Sequence, residues 1–315
     1  MSEQANVRQK AAISLGTEVL GADPISFTNP LTVLASPAWR GVEGDIWRAT
    51  TDDTSIILKH YHQDTSFYVD QGPAMLATQE AGRLGVGPAV LKIAPDDGLL
   101  AISDLGDPWV AGGLHHALDK DLRSAVIAQK RTFQRGAKLE KSISIFDEIE
   151  ALYDITRSES IATHNDIEPF IAFARDASKK IASLGWDTAP CHRDGNTANL
   201  MVHPEKQVQL IDFDLAAKCD PFEDVGAYLV EFFETDGDAR SGFEEWHGSF
   251  HEGLFQRAMI YGLADNLRWG LIGSIMGRRS DRSSLEFTKY AAWRFLRLQM
   301  QAKRSDANDR IRLAA

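Results

Sequence analysis

The sequence contains little cysteine and no long apolar run. Only two cysteines, Cys191 and Cys219, occur among its 315 residues, and neither has a metal-ligand spacing. No disulfide framework is implied, so we expect a reducing cytoplasm as the location. No apolar run approaches the roughly 20 residues that span a bilayer, which argues against a membrane partner. Residues 1–16 also lack the continuous apolar core of a secretory signal and predict a short amphipathic helix.

Positive charge is scarce as well. The chain has 34 lysines and arginines against 45 aspartates and glutamates, a formal net charge of −11. This balance argues against nucleic acid or an anionic membrane as the partner. Two basic pairs, Lys130-Arg131 and Arg278-Arg279, are interpreted as solvated surface. Nothing in the composition indicates the oligomeric state.

The hydrophobic pattern predicts two lobes of different character. Before Asp104 the chain alternates like a small antiparallel sheet, and from Val110 onward it is mostly helical. We therefore expect an N-terminal nucleotide-binding lobe at residues 1–104, including a helical extension at residues 1–27, and a catalytic lobe at residues 105–315. The predicted strands are Leu31–Leu34, Ile46–Ala49, Ser55–Lys59, Val90–Ile93 and Leu99–Ile102.

Two helices are predicted from different features of the sequence. One helix over Pro73–Leu84 interrupts the strands, with proline near its first turn and Gly85 after its end. Within residues 119–160, apolar residues at helical spacing begin at Ile145, whereas the basic part before it is interpreted as a mobile insertion.

The most informative segment runs from Cys191 to Asp224. His192, Asp194 and Asn199 share a short loop, and Asp212 ends an apolar strand. Between them the sequence predicts a β-hairpin, which returns both strand ends to one edge. The hairpin consists of a strand at Leu200–Val202, a turn at His203–Lys206 and a return strand at Val208–Ile211.

This arrangement is typical of phosphoryl transfer. Such a reaction needs one carboxylate to accept the proton of a hydroxyl group, and separate oxygen ligands to hold magnesium. Asp194 suits the first task, and Asn199 and Asp212 suit the second. The spacing of His192, Asp194 and Asn199 would by itself occur fairly often by chance in unrelated sequences. Here an apolar strand that ends in Asp212 follows it, and this combination argues against coincidence.

The N-terminal part offers groups that could hold a nucleotide. Gly41 and Gly44 could let backbone N–H groups approach phosphates, although a glycine-containing hairpin turn is the more common explanation of such a segment. Lys59 ends the next strand, where its ammonium could reach the phosphates. Glu80 is the only acid inside the following helix and is the candidate partner of Lys59; otherwise the lysine is held by another group.

The end of the last predicted strand completes this nucleotide site. Ser103, Asp104 and Leu105 follow it and would form the connection whose backbone meets adenine. An ordinary linker between two lobes would have the same position.

With these motifs, the chain resembles the choline/ethanolamine kinase branch of the aminoglycoside phosphotransferase superfamily, over about residues 30–300. The resemblance implies a bilobal, protein-kinase-like α+β fold, with a small antiparallel-sheet lobe containing one helix and a larger, mostly helical lobe. It implies that Asp194 is the catalytic base and that Asn199 and Asp212 bind Mg²⁺. His192 and Asp224 would brace the loop.

The likeness to the choline kinase branch comes from the C-terminal part. Residues 264–271 and 285–295 look like the helices that complete that family's substrate pocket. By resemblance, Trp269 would be one aromatic wall for a quaternary ammonium, while Ile272 replaces a second tryptophan; the alternative is that Trp269 is a core residue. Asp214 would help to bind magnesium or attract a cationic amine.

We therefore expect an enzyme that transfers the γ-phosphoryl group of ATP to a small-molecule hydroxyl, with Mg²⁺ as cofactor. Amino alcohols come first by resemblance, and aminoglycosides or other sugars second. A catalytically silent nucleotide-binding module is the alternative from another class. A protein kinase is disfavoured because the short stretch from Asp212 to Asp224 leaves no room for an activation segment.

Overall fold

An antiparallel sheet of five strands forms the N-terminal lobe of the computed structural model, which describes residues 3–30, 41–165, 167–282, 285–304 and 307–315. The strand order is β1-β2-β3-β5-β4. The strands are β1 (Ser26–Thr28), β2 (Gly44–Thr50), β3 (Ser55–Tyr61), β4 (Val90–Ala94) and β5 (Leu99–Ser103), accompanied by the helices α1 (Glu3–Leu20) and α2 (Gln71–Arg83). The predicted strand Leu31–Leu34 lies outside the described residues.

The alternation along β3 decides which side chains face the cleft between the sheet and the larger lobe. Ile56 and Leu58 point to one face of the sheet and pack with α1 in a buried cluster. Ile57, Lys59 and Tyr61 point to the opposite face and line a cleft. A strand alternates its side chains with a period of two, so the position of Leu58 in the core places Lys59 in the cleft.

Helix α2 begins two residues before its predicted start and ends one residue before its predicted end. Gly85 follows it with a φ of +70°, a conformation that glycine adopts without strain. Val86 and Gly87 both donate to the Ala81 carbonyl and complete the helix end.

The larger lobe is built around one long buried helix. Its helices are α3 (Lys120–Gly136), α4 (Ile145–Ser158), α5 (Ile167–Leu184), α6 (Phe222–Phe232), α7 (Asp236–His247), α8 (Glu252–Arg279), α9 (Phe287–Arg304) and α10 (Ala307–Leu313). Helix α8 packs against α4, α6 and α9, and its residues from 255 to 276 are all buried. A helix buried on every side is a core helix.

Short strands carry the catalytic segment across this lobe. They are β6 (Val110–Ala111), β7 (Ala189–Cys191), β8 (Leu200–Val202), β9 (Val208–Leu210) and β10 (Ala217–Cys219). The predicted hairpin is present: β8 pairs with β9 in the register Leu200 to Leu210 and Val202 to Val208. Strand β7 pairs with β10. The segment that precedes Asp194 therefore lies next to the segment that follows Asp212.

The interpretation of the basic segment after residue 119 as an insertion is wrong. Residues 120–136 form α3, which packs against β7 and β9. The interpretation of Lys130 as solvated surface is also wrong, because its side chain is only 2% exposed. Its partners, described below, belong to the catalytic loop.

The bilobal α+β architecture predicted from the sequence is confirmed. The five-stranded sheet ends at Ser103, and the helical lobe follows; the boundary near Asp104 remains a prediction. Within the described ranges, every helix is too short or too polar to pass through a lipid bilayer.

Candidate active site

The buried carboxylate of Asp224, at the start of α6, binds the backbone of the loop after β7. The backbone N–H of Arg193 donates to it at 2.9 Å and that of His192 at 3.3 Å. Lys130 Nζ donates to the same carboxylate at 2.9 Å and also to the Asp194 carbonyl at 2.9 Å. Burial disfavours charge on Asp224, but Lys130 holds its pKa below the usual value. The loop that carries Asp194 is thus fixed from two helices.

His192 lies inside this loop and is 1% exposed. Its ring nitrogens lie 2.9 Å from the Asp194 carbonyl and 3.0 Å from the Ile211 carbonyl. Burial lowers its pKa to about 4. The contacts join the Asp194 loop to the residue that follows β9; the bracing role of His192 remains a prediction.

Asp194 presents a carboxylate that is aimed by two amide donors. The Asn196 backbone N–H donates to Oδ1 at 2.7 Å, and Asn199 Nδ2 donates to Oδ2 at 3.0 Å. Burial raises the pKa of Asp194 to about 7, with the negative charges of Asp212 and Asp265 acting in the same direction. A carboxylate with a pKa near neutrality suits a general base.

Asp212 follows β9 in a left-handed conformation, with a φ of +66°. A non-glycine residue rarely adopts this region, and here it turns the carboxylate back toward the cleft. Ile211 donates to the Asn199 carbonyl at 3.0 Å, which keeps Asp212 beside the Asp194 loop. The backbone strain is stored where two predicted metal ligands meet.

Lys59 crosses from the N-terminal lobe to two carboxylates. Its Nζ lies 2.9 Å from Asp212 Oδ1 and 2.6 Å from Asp214 Oδ2. The Tyr61 hydroxyl donates to the other Asp214 oxygen at 2.9 Å. Although burial disfavours the ammonium, Asp212 and Asp214 raise the pKa of Lys59 well above its usual value. Burial and the charge of Asp212 raise the pKa of Asp214.

The predicted pairing of Lys59 with Glu80 does not form. Glu80 accepts from Arg83 at 2.8 Å and from the Lys138 backbone N–H at 2.8 Å. On α2 it is Thr78, two residues earlier, that lines the cleft. Two residues along a helix correspond to more than half a turn, so Glu80 points away. Asp214 holds the lysine instead.

A cleft of about 310 Å³ lies between the sheet and β8–β9. Lys59, Ser103, Asp104 and Leu105 line it, as does Gly41. The carboxylate of Asp104 is itself occupied by Ser55 at 2.8 Å and by Arg48. Gly44 is not among the lining residues; an added Cβ there would lie 2.7 Å from the His60 carbonyl, so its role is close packing of β2 on β3.

A second, smaller cavity lies next to the cleft and is lined by Asp194. Asn199 and Asp212 line both this cavity and the nucleotide-sized cleft. Its volume is about 10 Å³, which is room for about one water molecule. Its further lining residues are Gly41, Glu43, Asn196, Trp269, Tyr290 and Arg294.

Comparison with known proteins identifies the family. The model of the phosphotransferase enzyme family matches residues 35–259. The chain belongs to this phosphotransferase family. Comparison with curated proteins finds no match.

Solved structures of similar fold include kinases that act on small molecules. A choline/ethanolamine kinase family protein from Mesorhizobium loti superimposes with a TM-score of 0.78 at 18% identity, over 97% of this chain and 98% of that one. The choline kinase LicA from Streptococcus pneumoniae gives 0.75 at 15% identity, over 96% and 100%. A spectinomycin phosphotransferase in complex with ADP and spectinomycin gives 0.58 at 13% identity, over 93% and 98%. At these identities the likeness concerns the fold.

The donor set of this phosphotransferase fits a hard divalent cation. Carboxylate oxygens of Glu43, Asp212 and Asp214 all lie within 4.8 Å of one another, and Asn199 adds an amide beside them. Magnesium prefers such oxygen ligands. Both oxygens of Asp214 are engaged by Lys59 and Tyr61, so Asp212 and Asn199 are the members best placed to take the metal.

Sequence reasoning missed four residues of the phosphotransferase site. Glu43 stands between the two glycines that were singled out, and Tyr290 and Arg294 lie within the segment compared with choline kinases. Tyr68 reaches Glu43 from a loop without a recognisable motif. For Glu43, a charged residue between two glycines of a predicted phosphate loop was the available signal.

Proposed function

We propose that this phosphotransferase transfers the γ-phosphoryl group of ATP to a hydroxyl group of a small amino alcohol. The observation that carries the proposal is the position of Asn199 and Asp212, which line both cavities. A phosphoryl group that passes from nucleotide to acceptor must cross the point where the two cavities meet. A Mg²⁺ ion bound by Asp212 and Asn199 would neutralise phosphate charge there.

We assign the other roles in the reaction to Lys59 and Asp194. Lys59 carries a buried positive charge at the floor of the larger cleft and would bind the nucleotide phosphates. Asp194 would orient the acceptor hydroxyl and accept its proton, because its carboxylate faces the smaller cavity and is fixed by two donors. Residues 1–104 would form the nucleotide lobe and residues 105–315 the catalytic lobe. We propose no covalent enzyme intermediate.

The walls of the smaller cavity favour a small cationic acceptor. The Trp269 ring stands edge-on to Tyr68, with centroids 6.2 Å apart, and to Tyr290, with centroids 6.3 Å apart. Ile272 is 1% exposed and belongs to the core. Trp269 and Tyr290 are the aromatic residues that line this cavity. Aromatic faces attract cations.

The direct test is a screen for ATP-dependent phosphate transfer to amino alcohols, amino sugars and simple sugars with Mg²⁺ present. We expect turnover with amino alcohols. Asp194→Asn should lower kcat by about 10²- to 10⁴-fold, the usual contribution of a general base, and leave the affinity for Mg-ATP nearly unchanged. Asp187→Asn is the matched control, since Asp187 is exposed, and should behave like the wild type.

Other outcomes would assign the protein differently. Binding of Mg-ATP without transfer to any acceptor would indicate a silent nucleotide-binding module. Turnover with amino sugars alone would indicate the aminoglycoside alternative. Unchanged turnover in Asp194→Asn would refute the assigned base.

A further inference from the structure

Glu43 is a buried carboxylate that no step of the proposed reaction uses. It stands just before β2, is 6% exposed, and lines the acceptor cavity together with Asp194 and Trp269. The Tyr68 hydroxyl donates to its Oε1 at 3.0 Å. Tyr68 is the one side chain among the described residues that is hydrogen-bonded to this carboxyl group.

The cations near Glu43 are committed to other acids. Lys59 is bound to Asp212 and Asp214. Arg294, which also lines the acceptor cavity, pairs with Glu231 and donates to the Tyr290 hydroxyl at 2.9 Å. Burial disfavours the charged form of Glu43 and raises its pKa to about 8, with the charges of Asp212 and Asp214 acting in the same direction. A cation beside the group would favour its charged form. The described residues supply no ion pair for Glu43, so a positively charged ligand is the natural partner.

Glu43 is also rigidly positioned by contacts that cross between the lobes. The preceding residue, Val42, buries its side chain in the core of the helical lobe. Arg282 Nη1 donates to the Val42 carbonyl at 2.6 Å, and its Nε lies 3.0 Å from Asp64. On the other side, the His62 N–H donates to the Glu43 carbonyl at 2.9 Å. A preorganised charge binds its ligand without a large ordering cost.

We propose that Glu43 is a specificity-determining residue that binds a protonated amine of the acceptor through an N–H donor. This inference rests on the proposed function and narrows its substrate class. A carboxylate accepts charge-assisted hydrogen bonds from primary, secondary or tertiary ammonium groups, whereas a quaternary ammonium has no N–H to donate. The acceptor is therefore of the ethanolamine kind, and choline is the poorer substrate.

The test compares ethanolamine, its N-methyl and N,N-dimethyl derivatives, choline, and the uncharged ethylene glycol. At saturating Mg-ATP, the wild type should show a higher kcat/KM for the N–H-bearing amines than for choline. Glu43→Gln should lower kcat/KM for ethanolamine by about 10- to 100-fold, which corresponds to one charge-assisted hydrogen bond. The loss for choline should be smaller, and that for ethylene glycol the smallest.

Two further variants separate recognition from folding. Tyr68→Phe keeps the carboxylate but removes its hydroxyl partner, and it should reduce the preference for ethanolamine less than Glu43→Gln does. Asp45→Asn is the matched control: Asp45 also lies on β2 but pairs with Arg8 at 2.7 Å, so the acceptor preference should stay that of the wild type.

The affinity for Mg-ATP distinguishes two roles of Glu43, binding of the acceptor's amine and binding of the metal ion. We expect an unchanged Kd for Mg-ATP in Glu43→Gln. Weaker Mg-ATP binding together with equal losses for all acceptors would overturn the proposal, and so would an unchanged order of acceptors.

Thermal shift measures amine binding independently of turnover. In the presence of Mg-ADP, ethanolamine should raise the Tm of the wild type more than choline does, and Glu43→Gln should lose this difference. Absence of the difference in the wild type refutes the inference even if phosphate transfer to some acceptor is found. Absence of any transfer refutes the proposed function, while a retained, Glu43-dependent amine shift would still support the inference about the cavity.

Discussion

The carboxylate of Asp194 accepts hydrogen bonds from two amide donors and is largely buried. These two conditions shift its pKa in opposite directions. The Asn196 N–H favours the charged form, whereas burial favours the neutral form and has the larger effect. Its pKa of about 7 places the change of charge within the physiological range.

A pH profile of activity follows from this pKa. The carboxyl is protonated below about pH 7 and ionised above it, and a general base must be ionised. We therefore expect kcat/KM for the acceptor to rise about tenfold per pH unit on the acid side and to level off above neutrality. The measurement is a series of initial rates between about pH 5.5 and 8.5 at saturating Mg-ATP. A flat profile across that range would contradict the assignment.

At the scale of elements, the loop that carries Asp194 packs against the backbone of α6 at Gly195. A Cβ added to Gly195 would lie 2.3 Å from the Ala227 carbonyl oxygen and 2.6 Å from its carbon. Both atoms belong to the backbone of α6 and cannot rotate away. The loop must therefore lift if any side chain is introduced here.

Gly195→Ala should consequently lower both stability and turnover. We expect a loss of about 1–3 kcal/mol in the free energy of unfolding, the usual cost of overpacking, and a fall in kcat because Asp194 moves with the loop. Urea unfolding and initial rates measure the two effects.

The matched control is Gly237→Ala in α7. The nearest atom to a Cβ at that position is Thr235 Oγ1 at 3.6 Å, so the added methyl group meets no obstacle. Alanine in a helix is more favourable than glycine by about 0.5–1 kcal/mol, so this variant should be slightly more stable than the wild type. A stability loss at Gly237 equal to that at Gly195 would mean that the close approach to α6 is not the cause.

The elements differ in how far their sequence revealed them. The hairpin of β8 and β9 was predictable because two short apolar runs flank a polar turn, and this local signal needs no other part of the chain. Helix α3 was misread because Lys130 belongs to a basic run that resembles solvated surface. Its burial depends on Asp224, which is distant in sequence, so no local pattern could reveal it.

At the scale of the whole molecule, an ion pair holds the two lobes together over the acceptor cavity. Arg282 follows α8 and forms a bidentate ion pair with Asp64 of the N-terminal lobe. Two of its nitrogens each lie 3.0 Å from a carboxylate oxygen. Ser280 Oγ donates to the same carboxylate at 2.6 Å. Arg282 also donates to the carbonyl of Val42, the residue before Glu43, so the contact helps to fix the position of a residue that lines the smaller cavity.

We expect Arg282→Lys to weaken the closed arrangement, since lysine cannot form the two-pronged contact. Both partners are about a fifth exposed, so the coupling energy in a double-mutant cycle with Asp64→Asn should be about 1 kcal/mol. The KM for the acceptor should rise more than the Kd for Mg-ATP, because Arg282 binds the carbonyl next to Glu43, which lines the acceptor cavity.

Arg175→Lys provides the control, because Arg175 pairs with Glu150 on the surface of one lobe. It should change neither the KM nor the stability beyond a few tenths of a kcal/mol. A coupling energy of zero between Arg282 and Asp64, with an unchanged acceptor KM, would show that the lobes are not held at this point.

The sequence by itself determined the fold class, the family and the order of the catalytic groups. Asp194, Asn199 and Asp212 sit on a loop and a hairpin whose geometry follows from local alternation and turn residues, and the alternation along β3 directs Lys59 to the cleft. These features depend on residues close to one another in the chain, so the pattern alone could predict them.

Only the tertiary structure decided which charges meet. Lys59 pairs with Asp214 and not with Glu80, Lys130 lies under the catalytic loop, and Glu43 lies in the acceptor cavity. Each of these contacts joins segments far apart in the chain, and their energies depend on burial and on the exact approach of two elements. A sequence pattern contains neither quantity, so the partners of buried charges become known only when the lobes are packed together.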